Sequence, residues 1–166
     1  MVATSGARLI DEDAQELVMT RLLHRATLIT PNLPEADALT GLRITDQQSL
    51  EAAGCIIHAL GARAVLIKGG HGNGEEVVDW LYDGDEWTAF RTPRIHTTGG
   101  HGTGCTLASA LATRLGQGME LKAAIESAKT YLNGALENAW PGFGKGSGPL
   151  NHGWGIGAQP GGEWFH

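Results

Sequence analysis

Gly99-Gly100-His101-Gly102-Thr103-Gly104-Cys105-Thr106 is the stretch on which the fold turns. It lies between a strand and an apolar-periodic helix at residues 104–115, so it reads as a strand-to-helix turn. Glycines let backbone N–H groups come close to a ligand, and a helix N-terminus carries about half a positive charge. Together they suit a phosphate or a developing negative oxygen. A tight turn with no ligand satisfies the same spacing. Cys105 falls in the first turn of the helix, where the dipole favours an anionic sulfur, and is read as a general base or nucleophile. The commoner fate of a lone cysteine is that of a small buried hydrophobe.

Working outward, apolar periods alternate between helix and strand. Residues 11–24 place Ala14, Leu17, Val18 and Leu22 at helical spacing, and residues 27–30 form a short β-prone run closed by Pro31. Residues 45–60 open on Thr and Asp as caps, put Leu50, Ala53, Ile57 and Leu60 on one face and stop at Gly61. Residues 63–68, R-A-V-L-I-K, suit a strand covered on both faces. Residues 76–82 and 86–91 flank Asp83-Gly84-Asp85 and predict a hairpin. A last helix at 120–139 carries Leu121, Ile125, Ala128, Leu132 and Leu136 as a stripe. Helices around buried strands, with a hairpin inserted, predict α/β layering.

Two further clusters carry possible chemistry. In Thr30-Pro31-Asn32-Leu33-Pro34-Glu35, Asn32 and Glu35 have the spacing of a helix cap, which is the commoner role. The same amide and carboxylate, at the mouth of a strand, suit the ordering of Mg²⁺ waters and phosphate. In Lys68-Gly69-Gly70-His71-Gly72, a lysine leaves the C-terminal end of a strand read as parallel, which faces the ligand crevice of α/β proteins. A solvated surface lysine is the alternative. Cys55, on the body of a helix beside Ile56, is expected to be a small buried hydrophobe.

Composition removes several function classes. With 42% hydrophobic and 18% charged residues in 166, the chain has the balance of one folded domain. Twelve Lys and Arg against 18 Asp and Glu leave a net charge of −6, which argues against nucleic-acid binding. No apolar run approaches the ~18 residues of a membrane span, and the start lacks a signal-peptide pattern. Two cysteines do not make a disulfide framework, so a cytoplasmic location is expected. The seven histidines show no helical zinc spacing. Gly142-Phe143-Gly144-Lys145-Gly146-Ser147 fails as a phosphate-binding Walker loop, because Gly146 follows the lysine. Glycine and proline crowd the chain after Trp140, where little regular structure is expected.

Taken together, residues 30–35, Ile67-Lys68-Gly69-Gly70-His71, His101-Gly102-Thr103-Gly104-Cys105-Thr106 and Gly144-Lys145-Gly146-Ser147-Gly148-Pro149 resemble the hydroxymethylpyrimidine/phosphomethylpyrimidine kinases of thiamine biosynthesis. The similarity runs in the family's order from Met1 to about His152. It implies a ribokinase-like three-layer α/β/α sandwich, a partial kinase domain at 1–152 and a Gly-rich tail at 153–166. It also implies ATP-dependent phosphorylation of 4-amino-5-hydroxymethyl-2-methylpyrimidine and of its monophosphate, with ATP and Mg²⁺ as cofactors. Related kinases have Gly-Ala-Gly-Asp where this chain has Gly102-Thr103-Gly104-Cys105, so the resemblance puts Cys105 in the place of the catalytic base. It makes the N–H groups of Gly102, Thr103, Gly104 and Cys105 an anion hole. Asn32 and Glu35 become Mg²⁺ organisers, Lys68 neutralises ATP phosphates and Lys129 lies near the nucleotide.

Two departures from the family pattern shape the expectations. Gly99-Gly100 stands in place of a polar Asn-Thr pair, which predicts a looser strand-to-turn junction. The chain also begins about where the family's middle strand lies, without the usual Asp-Pro-Val. The N-terminal half, with most of the pyrimidine pocket, is expected to be missing. A bare sheet edge tends to pair, so self-association or a second chain supplying the other half is expected. The competing readings are a catalytically silent nucleotide-binding fragment and a pyridoxal kinase-like activity.

Overall fold

The computed structural model describes residues 11–70, 74–140 and 145–155. The chain divides into two compact units, Met1–Pro93 and Arg94–His166.

In the first unit, α1 (Glu12–Leu17) runs into a π turn at Val18–Leu22 and a 3₁₀ turn at Leu23–Arg25. The single helix expected over residues 11–24 is therefore three short pieces. Only Leu23 among the residues of the two turns is buried, so little packing enforces a regular helix there. Helix α2 (Leu33–Thr40) is capped by Asn32 and ends at Gly41, whose φ of 71° closes the last turn by an N–H bond to the Asp37 carbonyl. Helix α3 (Gln47–Ala59) starts from a reciprocal cap between Asp46 and Ser49.

Strand β1 (Val65–Ile67) is wholly buried, as its unbroken apolar run predicts. It pairs antiparallel with β2 (Glu76–Tyr82), which forms the expected hairpin with β3 (Trp87–Pro93). The carboxylate of Asp83 accepts the Asp85 and Glu86 N–H groups, and Gly84 takes φ 103°. On its other side β1 runs parallel to residues 29–32. That pairing is reduced to two bridges, Ile29 to Val65 and Asn32 to Lys68, rather than the expected strand at 27–30. Pro31 offers a carbonyl to the Lys68 N–H but has no N–H of its own, so the ladder cannot continue through it. The strand before Lys68 is thus parallel on one side only.

Ile57, Val65, Ile67, Ala36, Leu50 and Ala62 make the core, with Trp80 and Trp87 packed against it. The Trp87 indole lies so close to Gly54 that no β-carbon fits there. Cys55 is exposed, contrary to its expected burial. The indole of Trp87 fills the inner side of α3 at Gly54, and the next residue along turns away from the core.

In the second unit, α4 (Thr103–Gly116) and α5 (Leu121–Glu137) pack together, and Leu107, Leu111, Ala124, Ile125, Ala128 and Ala135 are buried on them. Of the expected α5 stripe, Ile125 and Ala128 are fully buried and the three leucines half-buried. Lys129, which periodicity puts beside the stripe, is buried too, at 5% exposure. Residues 148–154 fold back on α5. Leu150 is buried, and Asn151 donates its N–H to the Ala135 carbonyl. The Trp154 indole covers Gly134 and donates to the Tyr131 carbonyl at 2.9 Å. The remainder of the segment read as a tail, residues 156–166, lies outside the described residues.

Candidate active site

The glycine turn builds the head of α4. Gly102, at φ 90°, is the N-cap residue and has no side chain with which to cap the helix. The first intrahelical bond is Thr106 N–H to the Gly102 carbonyl, so the N–H groups of Thr103, Gly104 and Cys105 precede it and face out of the helix end. Cys105 is exposed in that first turn, which removes the buried-hydrophobe reading.

The turn is braced by the segment that carries the Gly-Lys-Gly-Ser-Gly-Pro motif. Gly148 donates to the Thr98 carbonyl, His101 donates to the Gly148 carbonyl, and Gly100 donates to the Ser147 hydroxyl at 3.3 Å. The junction at Gly99 is packed, where a loose one was expected. A β-carbon there would meet the Ala139 methyl at 2.6 Å and the Pro149 carbonyl at 3.1 Å. Glycine in place of a larger polar residue follows from that close approach. Gly144, the first residue of that motif, lies outside the described residues.

Beside Cys105 opens a cleft of about 380 Å³ whose lining includes Thr106, Arg114, Tyr131 and His152. The Thr106 hydroxyl is bonded to the Gly102 carbonyl and to His152 Nε2, while the Tyr131 hydroxyl donates to the His152 carbonyl at 2.7 Å. Sequence reasoning assigned no role to Tyr131 or His152. Tyr131 lies two residues beyond Lys129, but nothing local announces that residue 152 returns to α4.

The first unit assembles the other cluster. Asn32 Oδ1 accepts the Glu35 N–H at 2.8 Å and Glu35 Oε2 accepts the Asn32 N–H at 3.0 Å, so the capping role is real. Lys68 lies directly beside it. Its Nζ donates to the Thr30 carbonyl at 2.6 Å and its backbone is bridged to Asn32. Asn32, Glu35 and Lys68 are thereby brought together at the head of α2, half-buried or buried. His71 and Gly72 of the glycine loop lie outside the described residues.

Comparison with known proteins gives the family. The family model for phosphomethylpyrimidine kinase matches residues 1–151. This chain belongs to that family. A hydroxymethylpyrimidine/phosphomethylpyrimidine kinase of Streptomyces coelicolor is 46% identical over 156 residues, covering 94% of this chain and 57% of the relative. The thiamine biosynthesis bifunctional protein ThiED of Geobacter sulfurreducens is 49% identical over 152 residues, 92% of this chain and 31% of that protein. Among solved structures, a phosphomethylpyrimidine kinase from Clostridium difficile superposes with a TM-score of 0.70 at 34% identity, over 82% of this chain and 54% of its own. A pyridoxal kinase from Staphylococcus aureus, in complex with AMP-PCP, gives 0.84 at 31% identity, over 95% of this chain and 57% of its own.

The chain thus has the ribokinase-like α/β fold class that its motifs predict. It spans between about a third and three-fifths of the length of the curated relatives it matches. Among the described residues, no helix is long and apolar enough to cross a membrane.

Proposed function

We propose that the chain carries out ATP-dependent phosphorylation of 4-amino-5-hydroxymethyl-2-methylpyrimidine and of its monophosphate, in the cytoplasm and as a step of thiamine biosynthesis. One observation carries the reading: the uncapped N–H groups of Thr103, Gly104 and Cys105 at the head of α4, with the exposed Cys105 thiol among them. Phosphoryl transfer asks for positioning and charge stabilisation more than for covalent chemistry, and fixed N–H donors supply both.

In this reading the acceptor hydroxyl gives its proton to the Cys105 sulfur, acting as the thiolate and becoming the thiol, as its oxygen attacks the γ-phosphorus. The bond from that phosphorus to the bridging oxygen breaks, and ADP leaves with the electron pair. Gly102, Thr103 and Gly104 complete the N–H collar around the transferring group. Lys68 neutralises ATP phosphate charge, and the buried Lys129 contributes to the nucleotide site through α5.

Asn32 and Glu35 fit a Mg²⁺ role by donor chemistry. Each carries hard oxygens, of which Asn32 Oδ1 and Glu35 Oε2 also accept the N–H bonds of the cap, and Mg²⁺ typically takes one or two carboxylates while keeping waters and phosphates. When bound, Mg²⁺ supplies charge neutralisation on the phosphates. We further propose that the chain associates, with itself or with a polypeptide carrying the remaining part of its relatives' length.

The test pairs calorimetric titration of ATP·Mg with a coupled kinase assay on the pyrimidine alcohol and on pyridoxal. Binding with turnover of the pyrimidine is expected. Binding without turnover selects a silent nucleotide-binding module, and preferential turnover of pyridoxal selects the related activity. Sedimentation at micromolar concentration checks association, and a stable compact monomer contradicts it.

A further inference from the structure

Lys68 is held from a direction that the proposed chemistry does not use. The next residue, Gly69, donates its N–H to Oδ1 of Asp79 at 2.9 Å. Asp79 sits in the middle of β2 at 4% exposure. Strand interiors disfavour aspartate, and a buried carboxylate is costly unless donors meet it, so local propensity does not account for this residue. Gly69 also backs onto β2, leaving no room for a β-carbon before the Val78 carbonyl. From Gly69 the connection runs on through Lys68. Its N–H donates to the Pro31 carbonyl at 2.9 Å and its Nζ to the Thr30 carbonyl. Residue 32 then enters the reciprocal cap with Glu35. A continuous series of hydrogen bonds therefore links the centre of β2 to the head of α2, with Lys68 in the middle.

We propose that Asp79 is the positioning residue for Lys68: its carboxylate clamps the Gly69 amide and so fixes the lysine ammonium beside residues 30–32, where it meets a polyphosphate ligand. The inference rests on the reading of Lys68 as the group that neutralises ATP phosphates. Asp79 touches neither substrate nor metal in this account and acts only through the turn it holds.

A double-mutant cycle in the full chain tests it. Asp79→Ala weakens ATP·Mg binding by about tenfold in calorimetry, and Lys68→Ala weakens it at least as much. In the Lys68→Ala background, removal of Asp79 adds less than about twofold, because its effect passes through the lysine. Asp79→Asn keeps an acceptor at Oδ1 and recovers binding to within about threefold of the unaltered chain. Hydrogen exchange of the Gly69 amide accelerates in Asp79→Ala but not in Asp79→Asn. Where the alanine variant does not fold, Asp79→Ser, too short to reach Gly69, replaces it.

Additive losses from the two alanine variants, or unchanged binding in Asp79→Ala, overturn the proposal. If the unaltered chain takes up no ATP·Mg, the phosphate role of Lys68 fails with the kinase reading. Gly69 exchange then judges the clamp separately, and an unchanged rate in Asp79→Ala overturns that as well.

Discussion

The Thr106 hydroxyl and His152 Nε2 lie 3.0 Å apart, joining the first turn of α4 to a segment 46 residues later in the chain. Thr106 is buried and immediately follows Cys105, so this bond helps to set how the helix head is presented. Replacement of either partner leaves the other without its mate.

A cycle of Thr106→Val and His152→Ala is expected to show a coupling of about 0.5–1.5 kcal/mol in chemical denaturation. The Tyr131 hydroxyl bonds the backbone carbonyl of residue 152, so that contact survives His152→Ala and keeps the segment in place. Additive losses in the two single variants would show that the pair contributes nothing.

Gly134→Ala drives a methyl group into the Trp154 indole. Overpacking of this kind costs about 1–3 kcal/mol, and here it also threatens the indole bond to the Tyr131 carbonyl. Thermal unfolding is expected to fall in Gly134→Ala and to recover in part when Trp154→Ala is added, because the clash is then gone. No change in the single variant would mean that Trp154 does not lie on α5 in solution.

The Asp46 carboxyl is held below its ordinary value of 3.8, first by the Ser49 backbone N–H and then by the Ser49 hydroxyl. A carboxyl with a lowered folded value contributes stability that is fully present above the unfolded value. It is lost as pH falls through the folded value. Between about pH 6 and pH 3, the unaltered chain should therefore lose more stability than Asp46→Ala, whose cap is already absent. Denaturant titrations across that range check it; parallel pH curves would exclude a contribution from this cap.

What the sequence made legible is what neighbouring residues decide. The caps at Asn32 and Asp46 and the Asp83-Gly84-Asp85 turn each follow from a few adjacent side chains, and each is present. The family motifs placed Cys105 at a helix head by the same local logic. Features that depend on distant partners were not legible. Residues 11–24 are periodic enough for a helix, yet too little packing holds them in one regular form. The β-run before Pro31 survives only as bridges, since a ladder needs donors from both strands and Pro31 has none. Cys55 was expected in the core, but the buried face of α3 carries Leu50, Ala53, Gly54 and Ile57 and leaves it exposed. The return of Trp154 to Gly134 joins two residues with no shared local signal. Asp79 stood unnoticed in its strand because its partner, Gly69, lies across the sheet.

The sulfur at the head of α4 is the group on which the proposed phosphoryl transfer most directly depends. Turnover of the pyrimidine alcohol by Cys105→Ala, measured beside ATP·Mg binding by the same variant, tests it. Loss of transfer by about a hundredfold or more, with nucleotide affinity nearly intact, is the predicted result for a general base removed from a preserved amide collar. Unchanged turnover in Cys105→Ala would contradict the account and remove the cysteine from the mechanism.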